Sequence, residues 1–345
     1  MADVTPKILM TTVGCARQYS RSMPRHHYVP QFLLRGFSDE RNLVQMVSRI
    51  DGEVNQLSAV RKAAAQNGFY AIPTEDVLPE ARKDHNCEVI EASLAEIEAA
   101  AATDVQAIRN GSFTFDIDAH YRLVRLVALQ LSRVPRFRRD YIDLANVAAK
   151  DRLASRLTLA RVRNHLEGMG LAADDESVQK LYDEVLQGNY SLVPSDAHLI
   201  QQTMRIAIET FMPELFQRTP KILRFSDPSL LTSDAGAGLW DPESDRPRSV
   251  GVANARAIFV PLNRWTAIAF MQSGRPFDRV VQPFWARHIN LAVADAAAQW
   301  IYHHPNDDPL SKIDLPQPRR LVREVESVAT LKDGWVRVRG KHFWS

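Results

Sequence analysis

Two adjacent imidazoles, His26 and His27, stand just ahead of Gln31 and Arg35, and this set could run acid–base chemistry on an anionic substrate. Histidine titrates near neutral pH, so one ring can take a proton from water while a second group steadies a substrate or a metal. Pro30 fixes its own φ and biases Val29 to extended geometry, so the histidines enter a defined backbone rather than a loose tail. A second constellation is Gln130, Arg133 and Arg136, where forked guanidinium groups suit phosphate oxygens. A third is Thr232-Ser233-Asp234, whose hydroxyls could hold phosphate and whose carboxylate could act as a base or bind a metal. Glu91 and Glu98 border one face of a helix and are candidate metal ligands.

Read together, these residues suit a metal-assisted phosphodiester hydrolase, nuclease-like and acting in a defence or conflict setting. His27 is the expected general base, with His26, Gln31 and Asp234 as further catalytic groups. Glu91, Glu98 and Asp234 are the expected ligands of Mg²⁺ or Mn²⁺. Arg35, Gln130, Arg133, Arg136, Thr232 and Ser233 are expected to hold the substrate, and His27, Gln31, Arg133 and Asp234 to converge in one pocket. Each motif also has a purely structural reading. The His27 and Gln31 side chains can bond loop backbone, the arginines can be solvated or paired with Glu91 and Glu98, and Thr-Ser-Asp can be a self-satisfied turn. The competing function is a non-catalytic module that binds nucleic acid or an acidic protein through the arginine-rich helix.

The block His26-His27-Tyr28-Val29-Pro30-Gln31-Phe32, continued by Leu33-Leu34-Arg35-Gly36-Phe37, resembles the opening motif of the bacterial domain-of-unknown-function 4238 family. Ala63-Ala64-Ala65-Gln66-Asn67-Gly68-Phe69-Tyr70 is similar to that family's alanine-rich turn, and Gln130 to Arg136 to its Gln-x-x-Arg-Thr-Pro helix end. Leu231-Thr232-Ser233-Asp234, Phe259-Val260-Pro261-Leu262 and the alanine run from Asn290 to Tyr302 fit its later motifs. The resemblance covers residues 24–304 and implies a shared fold without naming a reaction. Ala235-Gly236 stand where the family continues with Asn-Pro, and Val134 where threonine is common. A histidine pair before a hairpin is also similar to the His-Me finger nucleases. Those need a helix bearing Asn or His after the hairpin, and only Gln66-Asn67 stands near that place.

Composition sets the bounds. The chain has 345 residues, 24% of them charged and 45% hydrophobic, ordinary values for a globular protein of one large domain or two. Cys15 and Cys87 are the only cysteines, which excludes a disulfide framework or a cysteine-built zinc site. Phosphate-loop, Gly-x-Gly-x-x-Gly, Gly-x-Ser-x-Gly and His-Glu-x-x-His patterns are missing, so no nicotinamide or flavin is expected. No apolar run approaches a membrane span and residues 1–22 carry no secretory core, so the expected compartment is the cytoplasm and no membrane partner is expected. The net charge of +2 hides an asymmetry. Between Ala119 and Arg163, ten arginines and one lysine face only Asp140, Asp143 and Asp151, a local +8 that invites an anionic substrate or nucleic acid.

The elements that must position these groups read as an α+β fold, with a mainly helical centre, a small N-terminal β-hairpin segment and a β-containing C-terminal third. Residues 1–22 are expected to be a flexible arm, 23–76 the motif and hairpin, 77–218 the helical region and 219–345 an α+β region, packed as one unit. Asp51-Gly52 predicts the hairpin turn. The periodicity predicts helices over 86–108, from an N-cap at Asp118 to Val134, over 139–167, 175–187 and 195–217, and from Pro283 to His303. Strands are expected at Lys221–Arg224, Ala257–Val260 and Thr266–Phe270, a mobile loop or lid at 234–252, and a hairpin around Asp333-Gly334.

Overall fold

The structure is a computed structural model. It describes residues 24–344 apart from 51, 73, 75, 76, 78, 85, 189, 243–249, 312, 316, 318–320 and 331–335. The expected arm at 1–22, the centre of the expected lid and the Asp333-Gly334 turn lie outside the described residues. The fold is mixed α+β, and the chain divides into two compact units.

The larger unit takes in residues 25–144 and 194–324. It opens with β1 (Arg25–His27), α1 (Gln31–Leu34), β2 (Leu43–Ser48), β3 (Val54–Ala59) and β4 (Ala65–Asn67). β2 and β3 form the expected antiparallel hairpin, with an irregularity between Gln45 and Val47. β4 returns to pair antiparallel with β1, setting His26 opposite Gln66 and His27 opposite Ala65. Gln66-Asn67 therefore lies in a strand, and the helix that a His-Me finger requires is not built there.

α2 (Val89–Asn110) and α3 (Ile117–Ser132) pack together. Gly111 ends α2 at φ 76°, and the Ser112 N–H returns to the Ala107 carbonyl, a helix stop that favours glycine. The N-cap of α3 is Asp116 rather than Asp118, because the Asp116 carboxylate accepts the Ala119 N–H at 2.7 Å. α4 (Pro135–Ala154) starts on Pro135, where a proline loses nothing because the first helical N–H has no partner to give up. The helix expected over 139–167 is thus two, with α5 (Leu159–Gly168) restarting after the Thr158 cap. α6 (Asp175–Gln187) follows, and α7 (Asp196–Ile206) runs through a π-helical turn at Ala207–Phe211 into α8 (Met212–Phe216).

The last third supplies β5 (Thr219–Arg224), β6 (Thr232–Ser233), β7 (Gly238–Trp240), β8 (Ala257–Asn263), β9 (Thr266–Met271), β10 (Phe277–Val280), α9 (Phe284–Ala296) and β11 (Trp300–His303). One sheet runs β10-β5-β9-β8-β7, and a second runs β3-β2-β11-β6. The second sheet joins the N-terminal hairpin to the C-terminal strands. β8 and β9 read as near-continuous apolar runs and are buried throughout their centres, as strands covered on both faces must be. The helix expected to reach His303 stops at Ala296, where Ala297 turns extended, and Trp300–His303 becomes a strand paired with β2 and β6. β12 (Leu321–Thr330) and β13 (Val336–Trp344) form a two-stranded sheet of their own.

The smaller unit includes residues 145–193, with a modest apolar core of Leu157, Val162, Leu166 and Val178. Arg163 ties α5 to Asp175 at 2.5 Å. Among the described residues no helix is long and apolar enough to cross a membrane.

Candidate functional site

Gln130 is the point where the sequence motifs meet. Its amide Nε2 donates to the Tyr28 carbonyl at 3.0 Å and to the Ala235 carbonyl at 2.9 Å. Its Oε1 accepts from Arg133 Nη2 at 3.2 Å. One buried side chain thus joins the histidine block, the end of α3 and the loop after Thr-Ser-Asp. Gly236 lies against the same amide, where an added Cβ would come within 2.9 Å of Nε2, so the approach requires glycine. The first and third constellations are brought together by a structural bolt.

His26 and His27 do not act as a pair, because successive residues of a strand face opposite sides. His26 points inward, stacked on Tyr70 with centroids 5.8 Å apart, and its Nδ1 accepts the Tyr70 N–H at 2.9 Å. That bond puts its proton on Nε2, which has no partner among the described residues. Burial lowers the pKa of His26, against the opposing charge of Glu88 and with a smaller push from Arg138. His27 faces the other way, beside Arg25 and within the field of Glu98. Burial also lowers its pKa, opposed by hydrogen bonding to the main chain at Val60. Its Nε2 is buried with no partner among the described residues. The turn that backs His27 is strained. Ala64 sits at φ 46° and is held by the Tyr302 hydroxyl, which accepts its N–H at 3.0 Å, and by the Tyr28 N–H on its carbonyl.

Glu91, Glu98 and Arg133 form a charged group on the α2–α3 seam. Arg133 Nη1 lies 2.6 Å from Glu98 Oε1, and Arg133 is only 1% exposed. The Tyr70 hydroxyl donates to the Arg133 carbonyl at 3.3 Å. Burial pushes Glu91 up to about 7; the charge of Glu98 adds to the push and Arg133 opposes it. Glu98 takes the guanidinium, while Glu91 feels it only through its field and so holds its proton to higher pH than a free carboxylate does.

The remaining expected site residues are committed to the fold. The Asp234 carboxylate accepts three backbone N–H groups, from Ala298 at 2.7 Å, Gln299 at 2.8 Å and Trp300 at 3.0 Å. Burial pushes its pKa up to about 6 against the pull of those donors. Ser233 Oγ donates to the Val293 carbonyl at 2.9 Å, and Thr232 lies buried opposite Tyr302 in the sheet. Arg136 donates to the Asp295 carbonyl and pairs with Asp140 at 3.7 Å. Arg35, in the turn after α1, is exposed and makes a long 3.4 Å contact with the Gln31 Oε1. Among the described residues no three His, Cys, Asp or Glu side chains assemble as a metal set, so Glu91, Glu98 and Asp234 are not one ligand group. Arg133 occupies the place beside Glu98 that a cation would take.

Several structural partners carried no sequence signal. Tyr70 was visible only as the end of an alanine-rich turn. Arg138 covers the Phe69 ring at 3.7 Å, and Arg49 pairs with Asp295 at 3.4 Å while 2% exposed, and neither residue stands in a motif that marks it. Only long-range packing selects them.

This geometry is what the recurrent motifs build: a β1–β4 turn, a glutamine bolt from α3, and a Thr-Ser-Asp cap on β11. The chain belongs to the DUF4238 family of proteins of unknown function, whose model matches residues 25–307. No curated protein and no solved structure matches the chain.

Proposed function

We propose that the chain is a hydrolase of phosphodiesters, acting in the cytoplasm, with His27 as general base and the Glu91–Glu98–Arg133 group as its charged flank. The observation that carries this reading is the His27 Nε2. It is buried and unpartnered in a motif whose other polar groups, apart from the His26 Nε2, are largely engaged. An unsatisfied buried nitrogen calls for a ligand, and a substrate water or hydroxyl is the partner a base would take. The main chain at Val60 orients the ring, and Glu98 stabilises the imidazolium formed when the proton arrives. Glu91, protonated up to about pH 7, supplies a proton to the leaving oxygen. Any Mg²⁺ or Mn²⁺ arrives with the substrate phosphate, since Arg133 already neutralises the carboxylates.

The test is turnover of DNA, RNA and a chromogenic phosphodiester by the full chain, with Mg²⁺ or Mn²⁺ and with EDTA, beside His27→Gln. The rate should climb as His27 loses its proton below pH 6.5 and fall as Glu91 loses its own near 7. Glu91→Gln, which has no proton to give, should slow turnover across the whole range and leave no alkaline limb. Equal turnover by His27→Gln and wild type, or none by either on any substrate, refutes the assignment.

A further inference from the structure

The arginines of α3 and the start of α4, expected to meet phosphate, are largely occupied. Arg122 forks onto Asp104 at 2.7 and 2.9 Å, and Arg133, Arg136 and Arg138 are engaged as described above. A different set of cations stands at the N-terminal turn. Arg25, Arg61 and Lys62 are all exposed, and among the described residues none of the three has a carboxylate partner. Arg25 lies beside His27, and Arg61 and Lys62 belong to the turn whose main chain the ring meets. Arg25 lies two residues from His27 on the same face of β1, and its guanidinium Nη2 reaches across to the Lys62 carbonyl at 2.8 Å and the Ala65 carbonyl at 3.2 Å. The His27 ring in turn meets the main chain at Val60 and Arg61.

We propose that Arg25, Arg61 and Lys62 form the binding rim for the sugar–phosphate backbone of a nucleic acid, laid over His27. The proposal takes its phosphodiester substrate from the hydrolase reading and adds the macromolecule and the residues that hold it. Three like charges on adjacent segments repel one another, and that arrangement is stable in the presence of a polyanion whose phosphates neutralise them in turn. A single small anion would satisfy one of them. The turn presenting them is fixed rather than loose. The Lys62 and Ala63 N–H groups return to the Ala59 carbonyl at 2.7 and 3.1 Å, and Ala64 is clamped in its left-handed conformation. Backbone contacts of this kind bind without reading sequence.

The experiment is fluorescence anisotropy of a labelled single-stranded DNA 20-mer with the full chain in EDTA, titrated over a range of salt. Binding is thereby read apart from turnover, so loss of hydrolysis alone leaves this surface standing. Arg61→Gln/Lys62→Gln should weaken binding and reduce the steepness of log K against log salt by about 1.4, and adding Arg25→Gln by about 2 in all. The double variant changes only exposed side chains, so it answers even if Arg25→Gln loosens β1. Arg125→Gln, an exposed charge of α3, should bind as wild type does. Wild-type affinity and slope in the double variant overturn the proposal. So does binding to phosphatidylserine vesicles or an acidic peptide with none to the oligonucleotide.

Discussion

Replacing Asp234 separates a structural carboxylate from a catalytic one. The side chain is 1% exposed and accepts three backbone N–H groups at 2.7 to 3.0 Å, all from the segment that turns α9 into β11. Asp234→Ala leaves three buried donors unmatched, at about 1 to 3 kcal/mol each, partly recovered by water that enters the space. The expected net loss is about 4 kcal/mol, a melting-temperature drop of roughly 8 °C for a chain of this size. Asp234→Asn keeps one oxygen and turns its NH₂ toward a donor, so it should lose about 2 kcal/mol. Urea unfolding followed by tryptophan fluorescence reads both, and Trp300 at the site reports the local change. In the larger unit the damage should fall on the β2–β11–β6 strands, seen as faster amide exchange at Ile301 and Tyr302. An Asp234→Ala protein that unfolds at the wild-type urea midpoint, yet has lost turnover or metal affinity, would show that this carboxylate serves chemistry instead.

Gly36→Ala should destabilise the chain by several kcal/mol, because a Cβ there would overlap the Leu262 carbonyl and crowd the Arg109 guanidinium; a melting temperature within 1 °C of wild type would contradict that close approach. Arg133→Met strands Glu98 and one acceptor of Gln130 and should cost about 3 to 5 kcal/mol. Adding Glu98→Gln should restore part of this loss in a double-mutant cycle, and strict additivity would rule out the buried pair as the cause.

Local features of the chain were legible where a short-range rule governs them. The β2–β3 hairpin, α6 over residues 175–187, and the strands at Ala257 and Thr266 follow from turn residues and periodicity alone. Caps two residues apart are harder. Asp116 and Asp118 carry the same chemistry, and only the backbone geometry before α3 selects the first. The α9–β11 boundary could not be read, because an alanine run favours helix until Asp234, some sixty residues upstream, captures the N–H groups that a helix would use.

The same division holds for the candidate site. Residue types alone marked His27, Gln130, Arg133 and Asp234 as unusual, since buried or clustered polar groups must find partners somewhere. Which partners they find is a property of the tertiary structure. Strand alternation turns His26 and His27 to opposite faces, and Gln130 spends its amide on Tyr28 and Ala235. Asp234 is spent on backbone donors, and the arginines of α3 largely on acids and carbonyls. Hydrogen bonds and ion pairs are satisfied by whichever group folding brings within about 3 Å. Sequence spacing therefore identified the polar groups, and three-dimensional packing decided which of them found partners and left the buried His27 Nε2 without one among the described residues.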